Sequence, residues 1–463
     1  MTDGLRSPSA RCAKLAGAPQ IAVVGGGLAG VSAALACADA GARVRLFEAR
    51  GWLGGATFST EKRGLHVDNG QHVFMRCCTA YRGLLARLGV EHLVSLQPRL
   101  AVPVLAPGRP RAWIRRHALP APAHLAPSLL GFPHLPFAAR LRAAQVARGF
   151  SALDPDDRQL DERSLGDWLA ERGVRDRASL AFWDLLIRPT LNVRAADASL
   201  ALAARVLRTG FLDRADAADI GVAAVPFAEI HDAPARRALA SAGAALALSA
   251  AVRGVAVHDE GVMVSLAGES LRADAVILAL PPDAAARLAP AAAGLDTAAL
   301  ARLGASPIVN LHVWFDRAVT DLPLAAGWDT PLQWIFDRTA ASGASRGQVL
   351  TVSLSAADEW LGRSRAELSA HFLPAFAALF PAARDAQVLD FIVQSDPAAT
   401  FLQVPGTRRL RPGAVTRHPG VYVAGAWTDT GWPATMESAV RSGALAARAA
   451  LDSLARAPHA EAA

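Results

Sequence analysis

The chain has 463 residues, 52% of them hydrophobic, with a formal net charge of +7 and a pI of about 10.0. That length and apolar content exclude a disordered chain and imply two or three domains, although much of the apolar fraction is alanine, which buries little surface per residue. The basic balance favours an anionic partner such as a phospholipid surface; without a basic stripe interleaved with aromatics it does not favour nucleic acid.

Residues 1–19 lack the apolar core of a signal peptide and read as a disordered leader. The first ordered stretch opens with the four apolar residues Ile21 to Val24, the length of a buried parallel strand. Gly25-x-Gly27-x-x-Gly30 follows, then an Ala-rich helix from Val31 to Ala40 closed by Gly41, then a second strand from Arg43 to Phe47 that ends at Glu48. This is a βαβ unit with a dinucleotide fingerprint. Gly25 permits the tight turn, Gly27 lets a pyrophosphate approach the backbone, and Gly30 lets helix and strand pack closely. The helix N-terminus offers free N–H groups to phosphate, and Glu48 stands where an acid accepts ribose hydroxyls and repels a 2′-phosphate.

Glu48-Ala49-Arg50 followed by Gly54-Gly55 resembles the second half of the signature of the flavin amine oxidase and phytoene desaturase superfamily. The resemblance implies FAD rather than NAD, with Arg50, Gly54 and Gly55 carrying the chain over the pyrophosphate. Downstream, the run Asp68-Asn69-Gly70-Gln71-His72-Val73 resembles the hydroxysqualene dehydroxylase family and would place Gln71 and His72 near the isoalloxazine. His72 reads equally as a hydrogen-bonded loop histidine.

Of the four cysteines, Cys12, Cys37, Cys77 and Cys78, none has zinc spacing, and no disulfide framework or metal site is implied. Cys37 reads as core; the Cys77-Cys78 pair is either redox-active or small and buried, and the set fits a reducing cytoplasm. A helix is expected over Tyr81 to Leu88, and short strands with Pro and Gly turns from Leu96 to Trp113. Residues Ala121 to Arg140 present Leu125, Leu129, Leu130, Phe132, Leu135 and Phe137, interrupted by prolines that exclude a long helix and flanked by arginines. They suit either a membrane-surface patch or a buried cap over a substrate cavity. Ser164 is a plausible N-cap for the next helix, and Phe182, Trp183 and Pro189 to Asn192 continue the resemblance. The aromatics there read as core or as cavity lining.

Strands are expected at Val252 to Val257, Gly261 to Leu266 and Ala273 to Pro282. Others are expected at Ser306 to Asp316, from Pro331 and at Val349 to Ser355. By resemblance, the backbone at Val252 meets the adenine. The final diagnostic stretch runs from Gly420 to Gly443, with Gly425 as a turn and a helix from Met436. There the resemblance places Gly425, Thr428 and Met436 at the flavin ribityl chain and pyrimidine edge. The chain departs from the family pattern in having Ala426 where an Asp normally holds the ribityl hydroxyls; Asp429 or backbone groups are the available substitutes.

Together these imply an α/β fold: a Rossmann-like FAD-binding domain built from 20–85, 215–290 and 405–455, and a second α+β substrate domain from 86–214 and 291–404. That second domain would combine a helical cap with an antiparallel sheet, and 456–463 would be a tail. No run of about 18 apolar residues suggests a transmembrane helix. The implied activity is FAD-dependent reductive dehydroxylation of hydroxysqualene to squalene for hopanoid biosynthesis, with His72 and Asp429 as candidate proton donors. Its partners would be a C30 isoprenoid substrate, an external electron donor and an anionic membrane surface. Moving roughly thirty carbons through water costs on the order of 20 kcal/mol at ~0.8 kcal/mol per CH₂, so the expected location is the inner face of the cytoplasmic membrane, peripherally bound. A carotenoid-type desaturase or isomerase and a non-catalytic lipid-binding flavoprotein are the alternatives.

Overall fold

A computed structural model describes residues 17–456; most of the expected leader, with Cys12, and nearly all of the tail lie outside it. The fingerprint forms β1 (Gln20–Val24), α1 (Leu28–Asp39) and β2 (Arg43–Phe47). They belong to a five-stranded parallel sheet in the order Ala245–Ala247, β2, β1, Ala275–Leu278, Val421–Val423. Strands this apolar must be covered on both faces. Ile21, Val23, Ala275, Ile277 and Tyr422 pack under α1 and the C-terminal helix Met436–Arg456. Ala22, Val24, Val276, Leu278 and Val421 pack on the other side against an antiparallel meander, Gly254–His258, Gly261–Ser265 and Ser270–Ala273. The alanines have a packing role that hydropathy understates. A Cβ on Gly443 would lie 2.1 Å from the Ala29 carbonyl oxygen, so α1 and the last helix touch backbone to backbone.

A second sheet has seven strands in the order Val388–Thr400, Ser306–Phe315, Gln348–Ser355, Trp334–Asp337, Leu324–Gly327, Ala101–Leu105, Ala112–Arg115. Its pairs are antiparallel except Leu324–Gly327 with Ala101–Leu105. One face, with Val309, Leu311, Val352 and Leu354, is buried under the helix Arg365–Leu379 through Leu368, Phe372 and Phe376. The opposite face is markedly more polar. A small sheet of Val73–Met75, Ile220–Ala223 and Val94–Leu96 straddles the domain break expected at residue 85.

Between residues 126 and 212 the chain is helical. The prolines of the 121–140 stretch limit the first helix to Ala126–Leu130, but Pro136 caps a longer one, Phe137–Phe150. Ser164 accepts a hydrogen bond from the Asp167 N–H and caps Leu165–Glu171 as its spacing suggests. Phe182 and Trp183 are buried among Phe132, Phe150, Trp168 and Trp328, which makes them core. Pro189 sits in the last turn of Arg177–Leu191, and Asn192 ends that helix in the left-handed region at φ +52°. The Asn192 amide then donates to the Ser306 carbonyl and to Thr400 Oγ1, and its Oδ1 accepts from the Ala356 N–H, which fastens the helical layer to the sheet. Cys37 is core, and burial pushes its thiol up to about 12. Cys77 is half-buried, and a hydrogen bond from Cys78 lowers its pKa.

Candidate functional site

At the β1–α1 crossover the glycines are required by contact. Gly25 has φ +106°, and a Cβ there would lie 2.2 Å from the Ala279 carbonyl oxygen; at Gly30 it would lie 1.8 Å from the carbonyl oxygen of Gly25. Gly27 differs, because its Cβ would meet nothing nearer than Gly55 Cα at 3.7 Å. Gly54 and Gly55 cross directly over this turn: the Gly54 N–H donates to the Gly26 carbonyl at 2.9 Å, and Gly27 pairs with Gly54 in an isolated parallel bridge. Both have positive φ, and a Cβ on Gly55 would lie 2.8 Å from Gly27 Cα. The first N–H groups of α1 have no partner within the helix, as at any helix start, and they open beside Gly27. A Cβ-free cradle next to unbonded N–H groups fits the pyrophosphate of a flavin dinucleotide.

Glu48 accepts from the Gly26 N–H at 2.6 Å and from the Arg50 N–H at 2.8 Å, which leaves one lone pair on each oxygen for ribose hydroxyls. The Arg50 guanidinium lies over the Phe58 and Trp52 rings and reaches only the Gly55 carbonyl, so its charge is uncompensated beside the cradle. Ala250 donates to the Glu48 carbonyl, and the chain runs on from there to half-buried Val252.

The Asp68–His72 turn is built as one unit with the segment leaving the glycine pair. The buried Asp68 carboxylate pairs with Arg338 Nη2 at 2.8 Å and accepts from Ser59 Oγ and the Phe227 N–H. Arg338 also donates to the Ala223 and Val225 carbonyls. The Asn69 side chain donates to the Ala56 carbonyl and accepts from the Phe58 N–H. The Gln71 N–H donates to Asn310 Oδ1 at 3.3 Å, so the turn lies on the polar face of the seven-stranded sheet. Cross-strand partners share a face. Trp334, Ser353, Asn310 and Gln394 therefore form one row across four strands, and Phe336, Thr351, His312 and Ile392 form the next.

Around these rows the buried atoms Gln71 Nε2, His72 Nε2, His312 Nε2 and Trp334 Nε1 have no hydrogen-bond partner. Burying an unpaired polar group is costly, and several together mark a place where a ligand or water supplies the partner. The His72 ring folds back over Gly70 and meets Phe227 edge-on at 5.3 Å. Burial lowers its pKa, opposed by the Asp68 charge and a backbone hydrogen bond at Ala56. His312, bonded to Thr351 Oγ1, is held near 3 by burial and by the charges of Arg338 and Lys62. His231, bonded to the Tyr81 hydroxyl and stacked on Phe227, is held near 3 chiefly by burial. The folded chain thus refuses protons that the unfolded chain accepts below about pH 6.5. Stability should fall with pH from 6.5 downward, by on the order of 1.4 kcal/mol per unit for each of these two histidines. Urea unfolding at pH 7 and pH 5 tests this, and equal stability at the two values would exclude it.

The third part is the loop from Gly425 to Met436. The Gly425 N–H donates to Ser442 Oγ, and the Trp427 ring closes on Gly425 so tightly that a Cβ there would lie 2.3 Å from Nε1. Buried Thr428 donates to the Gly425 carbonyl, and Met436 opens the last helix. Arg411 organises the loop by donating to the carbonyls of Ala426, Trp427, Thr428 and Trp432, and burial lowers its pKa to about 10. Ala426 contributes its carbonyl to Ser438 Oγ and Arg411. Asp429 faces elsewhere: its carboxylate bonds Arg408 Nε and the Gly431 N–H, and it lines a small cleft with Pro155, Asp161 and Arg205. Its partners differ from those of His72.

Sequence reasoning missed Asn310, His312, Trp334, Arg338 and Arg411. A lone Asn and His alternating within the apolar run Ile308 to Phe315 was the available signal for the first two. Arg411, inside a basic loop, carried none. Among the described residues no group of three His, Cys, Asp or Glu is arranged to hold a metal ion, and no helix is long and apolar enough to cross a membrane.

Residues 28–451 match the family of flavin-containing amine oxidoreductases. The chain is 28% identical over 446 residues to hydroxysqualene dehydroxylase of Sinorhizobium fredii, covering 93% of this chain and 97% of that one. It is 26% identical over 460 residues to 15-cis-phytoene desaturase of Solanum lycopersicum, covering 93% and 77%. An oxidoreductase from Methanosarcina mazei shares the fold, with a TM-score of 0.71 at 18% identity over 94% of this chain and 100% of that one.

Proposed function

We propose, for a chain that belongs to the flavin-containing amine oxidoreductase family, that its cofactor is FAD and its reaction the reductive dehydroxylation of hydroxysqualene to squalene, a step towards hopanoids. The observation that carries this reading is the set of unpaired buried donors around the Asn310 row, beneath a turn tied to the glycine cradle. Three relatives named hydroxysqualene dehydroxylase, at 26–28% identity over most of the chain, support it.

Gly25, Gly27, Gly30, Gly54, Gly55, Glu48 and Arg50 would hold the dinucleotide, with Val252 at its adenine end and Gly425, Thr428 and Met436 at the ribityl end. When bound and reduced, FAD supplies a hydride. In the overall change one proton is taken up by the substrate hydroxyl, its C–O bond breaks to release water, and a C–H bond forms at the same carbon. His72 would hold or deliver that proton from Nε2, which the protein leaves without a partner. Gln71 and Asn310 fix the turn that positions it, and Trp334 and Phe336 wall the row and exclude water. Among the described residues there is a single dinucleotide-type crossover, so in this reading electrons come from an external donor.

With its pKa below the ordinary 6.5, His72 is a donor whose charged form is lost as pH rises, so kcat/KM should fall with rising pH through a pKa under that value. His72→Ala should lower turnover by about 10²–10⁴ and remove that limb. Asp429→Asn separates the other candidate: a loss equal to that of His72→Ala would move proton donation to Asp429, and full turnover in both variants would eliminate both.

Anaerobic turnover of the photoreduced protein with hydroxysqualene, read by mass spectrometry, tests the reaction; no squalene would overturn it. The match to a phytoene desaturase favours a second reading, a desaturase running the flavin in the oxidising direction. Conversion of phytoene but not hydroxysqualene would establish that instead.

A further inference from the structure

From His92 to Leu153 the chain contains no Asp or Glu and eight arginines, an excess larger than the net +7 of the whole protein. Within this segment lie the helices Ala126–Leu130 and Phe137–Phe150. Ala143, Val146 and Phe150 on the inner side of the second helix, with Phe132 and Leu135 in the turn between the two, are core. The outer residues of the helices are apolar as well: Phe137 is 64% exposed, Leu141 43% and Leu130 40%, with Leu119 just upstream at 43%.

Phe137 and Leu141 stand one turn apart on the same face of their helix. Arg140 Nη1 donates to the Leu130 carbonyl, which holds the end of the preceding helix beside that face. The Arg115 N–H donates to Ser128 Oγ, which ties the strand before Leu119 to the same layer. The cations around this apolar group are mostly uncompensated. Arg109 and Arg116 pair with Asp329 and Asp219, but among the described residues Arg115, Arg140, Arg142 and Arg148 have no carboxylate within ion-pair distance. Arg140 and Arg142 bond only backbone carbonyls, which locates their charge without neutralising it.

We propose that the surface formed by Leu119, Leu130, Phe137 and Leu141, with its surrounding arginines, docks onto an anionic lipid bilayer. Exposed apolar side chains on a segment rich in uncompensated cations match the hydrocarbon boundary and the anionic headgroups of such a bilayer. A protein partner would need complementary carboxylates and shape, and nucleic acid would gain nothing from the exposed Phe and Leu side chains. The docking surface stands independently of the substrate assignment, because it uses none of the residues of the candidate site.

The test is co-sedimentation of the full-length holoprotein with sucrose-loaded vesicles of phosphatidylcholine alone or with phosphatidylglycerol. Binding should require phosphatidylglycerol and weaken about tenfold or more between low and high salt. Phe137→Glu with Leu141→Glu should lower the partition coefficient at least about tenfold without changing the circular dichroism spectrum. The milder Phe137→Ser should lower it less. Val415→Glu, at a residue 65% exposed elsewhere, should leave it unchanged. Undiminished binding by the double variant, equal loss in Val415→Glu, or equal binding to neutral vesicles would overturn the proposal. So would vesicle-free capture of duplex DNA, or a dimer that the double variant converts to monomer.

Discussion

Replacing Gly27 with alanine should leave the chain folded yet weaken flavin binding about a hundredfold, or ~2.7 kcal/mol. The reasoning rests on the different surroundings of three glycines. An added methyl at Gly27 meets nothing nearer than 3.7 Å, and its φ of −73° suits any residue. The same methyl enters the space above the crossover, where a pyrophosphate must approach the N–H groups of the helix start. At Gly30 a methyl would lie 1.8 Å from the Gly25 carbonyl oxygen, so Gly30→Ala should cost the fold about 3 kcal/mol or more. Flavin absorbance retained through gel filtration, with urea unfolding of each apoprotein, separates the two effects. Gly27→Ala protein that keeps its flavin at full affinity would refute the placement of the cofactor on this turn.

Removing one side of the Asp68–Arg338 pair should destabilise the protein by about 3–5 kcal/mol. Both side chains are under one-tenth exposed. Arg338→Met would strand a buried carboxylate whose other partners, Ser59 and the Phe227 N–H, are neutral. The double variant Asp68→Asn, Arg338→Met should lose less than the sum of the single changes, because neither charge is then left alone. Since Asp68 starts the turn that carries His72, the single variants should also slow turnover. Simple additivity in denaturant unfolding would show that the two charges act independently.

The crossover was legible because its requirements are local. A positive φ, a missing Cβ and an acid at the end of the second strand are properties of neighbouring residues, and they read the same in a sequence as in a fold. The same holds for Ser164 as a cap and for the short apolar strands. Phe137–Phe150 shows where local reading stops: the prolines that shorten one helix also start the next. The stretch Ala121 to Arg140 left open a membrane patch and a buried cap, and the helices divide its residues between a core side and an exposed side.

By itself the sequence determined the glycine-rich crossover, the family and most of the strands, all written in short-range spacing and glycine placement. Only tertiary structure decided which residues meet at the rest of the candidate site. Asp68 meets Arg338 across 270 positions, and Gln71 meets Asn310 across 239. Asp429, inside the loop from Gly425 to Met436, turns to Arg408. The physical reason is that a buried charge or amide takes whatever partner the packed layers bring within hydrogen-bond distance, and that partner is set by how two sheets come together rather than by neighbouring residues along the chain.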